Sequence, residues 1–213
     1  MTGALSVEVA QAGSPLGREH PVAILLHGRG GTAQDMLSLA EAFGQPNVTY
    51  LAPQAPGRTW YPYSFLAPYE QNEPALSHAL EIVAQVVSRV MREDIPANSI
   101  LLLGFSQGGC LALEFAARNA KRYGAVVGLS AGLIGPKGAE RNYDGSLAST
   151  PVFIGCSDVD HHIPLWRVRE STEEMRRLGA DVIERIYPRL GHTINDDEIM
   201  QVKKMLTELE GLK

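Results

Sequence analysis

Cysteine is scarce in this chain, which has only Cys110 and Cys156 among its 213 residues. Two thiols are too few for the disulfide framework of a small secreted domain, and they form no Cys-x-x-Cys pair that could hold zinc. We therefore expect both cysteines to be reduced, and we expect no metal site built on them.

Long apolar stretches and clusters of basic residues are also missing. No window approaches the roughly 18 apolar residues that a membrane-spanning helix needs, and residues 1–15 lack the basic and apolar regions of a secretory leader. The formal net charge is −5, and no basic patch suited to a phosphate backbone is present. These absences argue against nucleic acid and stable membrane insertion, and they predict a cytoplasmic protein.

The composition is that of an ordinary globular protein, 45% hydrophobic and 20% charged, with alternating strand and helix patterns. Apolar runs predict strands at residues 22–26, 48–52, 100–104, 125–129, 151–156 and 182–187. Helical periodicity predicts helices at residues 33–43, 73–93, 108–119, 165–178 and 196–209. This alternation is typical of an α/β fold with a mainly parallel sheet covered by helices on both faces.

Two connections, residues 53–72 and 131–150, are longer than most loops in compact domains. Long loops of this kind often shape binding sites. Because strands and helices take up most of the remaining chain, we expect one domain, residues 1–213, with no separate cap domain.

The most informative motif is Gly104-Phe105-Ser106-Gln107-Gly108, which follows an apolar strand and leads into an alanine-rich helix. A Gly-x-Ser-x-Gly sequence at a strand-to-helix turn is typical of a nucleophile elbow. Such a turn presents the serine hydroxyl at the end of a sheet, and it aims the N–H group of the next residue at the same point. Ser106 is therefore the candidate nucleophile, and the Gln107 N–H group is a candidate donor to an oxyanion.

A serine nucleophile needs a base, and the base needs an acid that orients it. On α/β-hydrolase sheets the chain order is Ser, then Asp or Glu, then His, each on a loop after a later strand. His192 fits this order, because it lies between the last predicted strand and a final helix that Asn195 and Glu198 could cap. We predict His192 as the base.

Two aspartates compete for the role of the acid in the turn after residues 151–156. Asp160 lies deeper in the turn and is favoured, whereas Asp158 could instead accept hydrogen bonds from N–H groups of the loop. The adjacent His161 and His162 suggest a metal site, but adjacent side chains point apart and no His-Glu-x-x-His sequence is present. We interpret them as loop residues that face solvent or substrate, and we expect neither a metal nor a cofactor.

The segment His27-Gly28-Arg29-Gly30-Gly31, after the first predicted strand, is similar to the His-Gly-Gly-Gly oxyanion loops of esterases. It also matches the Gly-x-Gly-x-x-Ala pattern of dinucleotide-binding loops. That interpretation requires an acidic residue at the end of the next strand to hold a ribose, and Pro53-Gln54-Ala55-Pro56 stands there instead. A nucleotide site is therefore disfavoured.

Together these motifs resemble the small phospholipase/carboxylesterase family of α/β-hydrolases, which includes acyl-protein thioesterases. The resemblance covers nearly the whole chain, from the glycine-rich loop through the elbow and the aspartate turn to the histidine loop. It implies an α/β-hydrolase fold with Ser106, Asp160 and His192 as the catalytic triad. It also implies that the backbone N–H groups of Arg29 and Gln107 bind the oxyanion.

Two features bear on the substrate. Arg29 stands where family members often carry an apolar residue, and its side chain could either favour anionic substrates or face solvent.

The segment Trp60-Tyr61-Pro62-Tyr63-Ser64-Phe65 concentrates aromatic residues in the first long loop. Because that loop follows a strand whose end should face the site, Trp60, Tyr63 and Phe65 are candidates for lining an acyl or alcohol pocket. Packing beneath the loop is the alternative.

The sequence thus predicts a serine esterase that hydrolyses small carboxylic esters, of short acyl or compact aromatic type, through an acyl-enzyme. A thioesterase or lysophospholipase that acts on acylated protein or lipid is the alternative with the same chemistry. A noncatalytic binding module with this fold is the alternative from another class.

Overall fold

The computed structural model describes residues 8–211. The single domain predicted for residues 1–213 includes residues 1–7 and 212–213, and the segment 1–15, for which no leader is expected, includes residues 1–7. Those positions lie outside the described residues.

Seven strands form one sheet: β1 (Val9–Gly13), β2 (Val22–Leu26), β3 (Thr49–Pro53), β4 (Ile100–Phe105), β5 (Ala125–Leu129), β6 (Pro151–Ser157) and β7 (Asp181–Tyr187). Their spatial order is β1-β3-β2-β4-β5-β6-β7. Only the pair of β1 with β3 is antiparallel, and the other neighbouring pairs are parallel. The predicted α/β class with a mainly parallel sheet is therefore confirmed.

Six α-helices accompany the sheet within the described part of the chain: α1 (Ala33–Phe43), α2 (Tyr69–Asn72), α3 (Ala75–Arg92), α4 (Gln107–Arg118), α5 (Leu165–Arg177) and α6 (Asp196–Glu210). Alternate residues of β2 pack into two different apolar clusters. Ile24 packs in the cluster that includes α3, α4 and α5, and Leu25 packs in the cluster that includes α1 and α6. Both faces of the sheet are thus covered, which explains the continuous apolar runs of the central strands.

Three elements differ from the predictions, and one of them is the short helix α2 (Tyr69–Asn72), which lies within the first long connection. Strand β1 was not predicted, because it lies at the edge of the sheet, is half-exposed, and carries no continuous apolar run. The helix predicted for residues 73–93 begins two residues later. The backbone of Glu73 is extended (φ −83°, ψ 150°), as expected for a residue that precedes proline, so α2 ends at Asn72 and α3 begins at Ala75.

The carboxyl ends of the parallel strands meet at one edge of the sheet, where ligand sites of open α/β sheets occur. The loops that leave β2, β3, β4, β6 and β7 at this edge carry the residues singled out from the sequence. None of the helices within residues 8–211 combines the length and apolarity that crossing a bilayer would require.

Candidate active site

Ser106 occupies the turn between β4 and α4 with φ 54° and ψ −119°, a conformation that non-glycine residues rarely adopt. The Ser106 N–H group donates to the carbonyl of Leu129 on β5, and the Ser106 carbonyl accepts from the Cys110 N–H group, both at 2.9 Å. A Cβ atom at Gly104 would overlap the backbone of Gly108, so this crossing of strand and helix requires glycine. The turn holds the serine in the geometry of a nucleophile elbow.

Ser106, His192 and Asp160 form a hydrogen-bonded row. His192 Nε2 lies 2.9 Å from Ser106 Oγ, and His192 Nδ1 lies 2.7 Å from Asp160 Oδ2. The other carboxylate oxygen of Asp160 accepts from the N–H groups of His162 (2.8 Å) and Ile163 (3.0 Å). Elements far apart in the chain therefore bring the three side chains together as the order of the motifs indicated.

The carboxylate of Asp160 is held in its charged form. Burial alone would raise its pKa, but the hydrogen bonds from His192 and from the two loop N–H groups outweigh burial, so the pKa lies below its ordinary value. An ionised Asp160 favours a proton on His192 Nδ1, which leaves Nε2 free to accept the proton of Ser106.

Asp158 lies elsewhere in the same turn. Its side chain is exposed, and its Oδ1 accepts from the Arg189 N–H group at 2.7 Å. This is the loop-bonding role considered for it from the sequence. The structure brings Asp160, and not Asp158, to His192.

The ring of His192 contacts two other rings. Phe105 is 5.0 Å away and His162 is 4.7 Å away, measured between ring centroids. His162 is exposed and lines the cavity in front of Ser106, whereas His161 is exposed and does not line it.

Among residues 8–211, no group of three or more His, Cys, Asp or Glu side chains has the geometry to hold a metal ion.

The two residues whose N–H groups are expected to bind an oxyanion, Arg29 and Gln107, line the same cavity as Ser106. Gln107 is the first residue of α4, so its N–H group has no acceptor within the helix. In the loop after β2, the N–H groups of Gly30 and Gly31 are used in hydrogen bonds to loop carbonyls, and Arg29 lines the cavity beside Ser106. This arrangement suits two donors aimed at one carbonyl oxygen.

The side chain of Arg29 has a structural role that the sequence did not reveal. Its guanidinium donates to Thr59 Oγ1 at 3.0 Å and to the carbonyls of Pro62 at 2.9 Å and Tyr63 at 2.7 Å. It therefore does not simply face solvent: it fixes the aromatic loop over the site.

The residue next to the nucleophile binds the same loop through its side chain. Gln107 Oε1 accepts from the Trp60 N–H group at 3.0 Å, and Gln107 Nε2 donates to the Tyr61 carbonyl at 2.8 Å. His27 is buried and accepts from the Ala55 N–H group at 3.1 Å, and burial lowers its pKa. These contacts hold the loops after β2, β3 and β4 in one fixed arrangement.

The structure separates the three aromatic residues proposed to contact substrate. Trp60 is only 3% exposed, does not line the cavity, and donates from Nε1 to the His27 carbonyl at 2.8 Å. Its predicted place in a substrate pocket is therefore corrected to packing beneath the loop. Tyr63 and Phe65 do line the cavity, Tyr63 exposed and Phe65 buried.

The cavity in front of Ser106 has a volume of about 610 Å³, within the usual range for small-molecule sites. Its lining consists of Gly28, Arg29, Tyr61, Pro62, Tyr63, Ser64, Phe65, Phe105, Ser106, Gln107, Cys110, His162, Ile163 and His192. Sequence reasoning named Tyr61 only as part of the aromatic segment, and it did not identify Phe105, Cys110 or Ile163 as lining residues. The position of Cys110 one helical turn after Ser106 was the signal that could have revealed it. Both cysteines are free thiols, as expected, and both are buried.

Comparison with known proteins identifies relatives over most of the chain. The sequence profile of the phospholipase/carboxylesterase family matches residues 8–210. Lysophospholipase-like protein 1 of Mus musculus is 22% identical over an alignment of 218 positions, which covers 93% of this chain and 91% of the mouse protein. Acyl-protein thioesterase 1 of Gibberella zeae is 28% identical over 130 residues, 57% of this chain and 52% of the fungal protein. The match thus spans about half the length of the fungal relative.

Solved structures share the fold. A phospholipase/carboxylesterase from Dyadobacter fermentans superimposes with a TM-score of 0.91 at 42% sequence identity, covering 96% of this chain and 98% of the other. A carboxylesterase from Bacillus cereus superimposes with a TM-score of 0.78 at 19% identity, covering 96% and 95% of the two chains.

Proposed function

Because the chain belongs to the phospholipase/carboxylesterase family of α/β-hydrolases, we propose that it is a serine esterase acting on esters of short acyl or compact aromatic acids. The observation that carries this proposal is the row of hydrogen bonds from Ser106 through His192 to Asp160, at 2.9 and 2.7 Å. The reaction proceeds through an acyl-enzyme and needs no cofactor. The cytoplasmic location and the single domain predicted from the sequence belong to this proposal.

The first half of the reaction forms the acyl-enzyme. Ser106 Oγ attacks the ester carbonyl while His192 Nε2 takes the hydroxyl proton, and Asp160 stabilises the imidazolium that results. The N–H groups of Arg29 and Gln107 bind the oxygen on which negative charge develops. His192 then gives the proton to the departing alcohol.

The second half of the reaction releases the acid. With the alcohol gone, His192 is again neutral at Nε2 and takes a proton from a water molecule, which attacks the acyl-enzyme carbonyl. The same two N–H groups bind the oxyanion of this second intermediate. Collapse of the intermediate returns the proton to Ser106 Oγ.

The preference for short acyl groups is argued from the shape of the site. Buried apolar cover inside the cavity is limited to a few side chains, such as Phe65 and Ile163, and no cap domain lies over it within residues 8–211. Each methylene that finds apolar cover contributes only about 0.8 kcal/mol. A long acyl chain would leave most of its methylenes in water and would gain little from its length.

A thioesterase or lysophospholipase is the second candidate. It uses the same residues and the same acyl-enzyme, and the names of the mouse and fungal relatives support it. The two candidates differ in the acyl chain and the leaving group, so a substrate series separates them.

The experiment is a series of p-nitrophenyl esters with two to sixteen acyl carbons, with matched thioesters. We expect kcat/KM to be highest at two to four carbons and to fall beyond that length, with Ser106→Ala as the background control. A steady rise in kcat/KM to sixteen carbons would reveal a lipid-sized groove and would replace the esterase assignment with the second candidate.

A further inference from the structure

The wall of the cavity in front of Ser106 carries a positive charge that the proposed reaction does not use. Arg29 lines this cavity and is exposed. The reaction needs only its backbone N–H group. Because a guanidinium does not lose its proton in proteins, the Arg29 side chain places a permanent cation in the wall of the site.

The partners of the Arg29 guanidinium are all neutral. Nη1 donates to Thr59 Oγ1 and to the Pro62 carbonyl, and Nη2 donates to the Tyr63 carbonyl. Within residues 8–211, Arg29 makes no ion pair. These neutral acceptors hold the side chain in place without cancelling its charge. One Nη2 hydrogen and the Nε hydrogen are left without an acceptor in this part of the chain.

The cavity does not balance this charge with an acid. Among the described residues, no Asp or Glu lines it. The carboxylate of Asp160 is buried and is hydrogen-bonded to His192. Asp35, the first acid after the glycine-rich loop, is used in the capping box of α1. The charge of Arg29 is therefore open to an anion that enters the site.

The field of Arg29 also reaches the buried part of the cavity wall. Burial, and next the neighbouring Cys110 thiol, raise the pKa of Tyr61, and the charge of Arg29 acts in the opposite direction. Tyr61 lines the cavity and is only 1% exposed. Water screens a charge less in such surroundings than at an open surface, so an anion in the cavity is attracted more strongly there.

Resting on the esterase function above, we propose that the cavity selects small esters that carry a carboxylate, and that the guanidinium of Arg29 attracts this group. The substrate class is then half-esters of dicarboxylic acids or esters of acidic alcohols and phenols. Arginine suits the role because its N–H groups form charge-assisted hydrogen bonds with carboxylates. The attraction acts in the bound substrate and in the transition state alike, so it lowers KM and changes kcat little.

The test compares three acetate esters of para-substituted phenols that differ in charge: 4-carboxyphenyl acetate, 4-carbamoylphenyl acetate and 4-(trimethylammonio)phenyl acetate. At about 20 mM salt we expect the anionic ester to have about fivefold higher kcat/KM than the neutral amide, through KM, and the cationic ester to have the lowest. Raising the salt to about 0.5 M should remove most of this difference, because salt screens an exposed charge.

A second pair of esters places the charge on the acyl side. It consists of p-nitrophenyl hydrogen adipate and the corresponding terminal amide, measured under the same conditions. A salt-sensitive preference for the anion in this pair assigns the Arg29 contact to the acyl part of the substrate. The same preference in the phenyl acetates alone assigns it to the alcohol part. Either result supports the inference.

Arg29→Met and Arg29→Lys separate the charge from the loop contacts. Both variants lose the guanidinium that holds Pro62 and Tyr63, but only Arg29→Lys keeps the charge. We expect the ratio of anionic to neutral kcat/KM to fall about fivefold in Arg29→Met and less than about twofold in Arg29→Lys. Each ratio compares two esters in one protein, so a change in overall activity does not affect it.

Arg58→Met is the matched control. Arg58 is an exposed arginine of the neighbouring loop that does not line the cavity, and its Nε donates to the Gly31 carbonyl at 3.4 Å. Removing this charge should leave the ratio of anionic to neutral kcat/KM at its wild-type value. An equal fall in Arg58→Met and Arg29→Met would mean that the net charge of the protein, and not Arg29, sets the preference.

Three further outcomes overturn the inference. One is a wild type whose ratio does not respond to salt in either pair of esters, a result that holds even if an Arg29 variant does not fold. Another is an unchanged ratio in Arg29→Met, and the third is an equal fall in Arg29→Lys, which would assign the effect to the loop contacts. With the neutral esters still hydrolysed, all of these leave the esterase function intact. A wild-type protein that hydrolyses none of the esters contradicts the proposed function as well.

Discussion

Among the individual residues, Ser106 is in the most constrained conformation. Its positive φ is held by backbone hydrogen bonds to β5 and within α4. Glycine would relieve the strain but would remove the hydroxyl. The strained backbone of Ser106 costs free energy of folding, which is consistent with a position selected for chemistry and not for stability.

The two aspartates of the turn after β6 provide a direct comparison. The Asp160 carboxylate is hydrogen-bonded to His192, whereas the Asp158 carboxylate accepts from the Arg189 N–H group. In serine proteases, changing the triad aspartate to asparagine lowers kcat by about 10⁴, because the histidine adopts the wrong tautomer. We expect a loss of about that size for Asp160→Asn on p-nitrophenyl acetate, and a change of only a few-fold for Asp158→Asn. If Asp158→Asn were the more damaging change, the assignment of the acid would be wrong.

Trp60 should contribute to stability and not to substrate binding. Trp60→Phe removes the N–H group that satisfies the buried His27 carbonyl, which should cost about 1–3 kcal/mol of the free energy of unfolding. Trp166→Phe is the control, because Trp166 is 38% exposed and lies over the Arg167 guanidinium, a contact worth about 1 kcal/mol or less. Urea unfolding measures both variants. Unchanged stability together with a higher KM for hydrophobic esters would restore Trp60 to the substrate pocket.

The aromatic segment illustrates what could not be predicted residue by residue. Ser106, Asp160 and His192 follow from motif and chain order, because both are visible in the sequence. No periodicity in the loop tells which ring points inward. Trp60 turns toward His27 and Tyr61 toward Cys110 because of contacts with distant segments, and these exist only in the folded chain.

Among the elements, helix α6 begins directly after the loop that carries His192. Its start was predicted from Asn195 and Glu198, and the capping box is present: Asn195 Oδ1 accepts from the Glu198 N–H group, and Glu198 Oε2 accepts from the Asn195 N–H group, both at 2.9 Å. The Glu198 carboxyl is also buried against Gly155 of β6. One residue therefore both caps the helix and packs against the strand that precedes Asp160.

The buried carboxyl predicts a pH dependence of stability. Burial raises the pKa of Glu198 from 4.5 to about 7, so the folded chain binds this proton more tightly than the unfolded chain does. The stabilisation that protonated Glu198 gives to the folded chain is fully present below pH 4.5 and is lost as the pH rises to about 7. The loss is at most about 3 kcal/mol of the free energy of unfolding.

Urea unfolding at pH 4.5, 6 and 8 tests this dependence. We expect Glu198→Gln to flatten the curve relative to the wild type and to be the more stable of the two at pH 8. The control is Glu208→Gln, which changes an exposed carboxylate on the same helix. Parallel curves for Glu198→Gln and the wild type would contradict the account of this residue.

At the level of elements, the sequence predicted every strand with two buried faces and missed the edge strand β1. The other edge strand, β7, is also partly exposed but has enough apolar residues to be predicted, whereas β1 is half-exposed and carries no continuous apolar run. Its antiparallel pairing with β3 depends on a neighbour nearly forty residues away, which no local pattern encodes.

At the scale of the whole molecule, the candidate site lies at the edge of the sheet where the parallel strands end. Loops from five strands converge there, and none of them carries more than one member of the Ser106, Asp160 and His192 row. The order of strands and motifs along the chain was sufficient to predict that these loops converge. It was not sufficient to predict which acyl group the substrate carries. A fold and a triad specify a reaction type, whereas the wall of the cavity selects the substrate.

The central claim is that Ser106 is an activated nucleophile. The most direct measurement is the reaction of the purified protein with a fluorophosphonate, read by intact mass and by peptide mapping. We predict one adduct per chain, located on Ser106, and no adduct on the Ser106→Ala protein, which should stay folded because the turn is held by its backbone bonds. An adduct on another residue, or a wild-type protein that does not react, would contradict the account and favour a noncatalytic binding module.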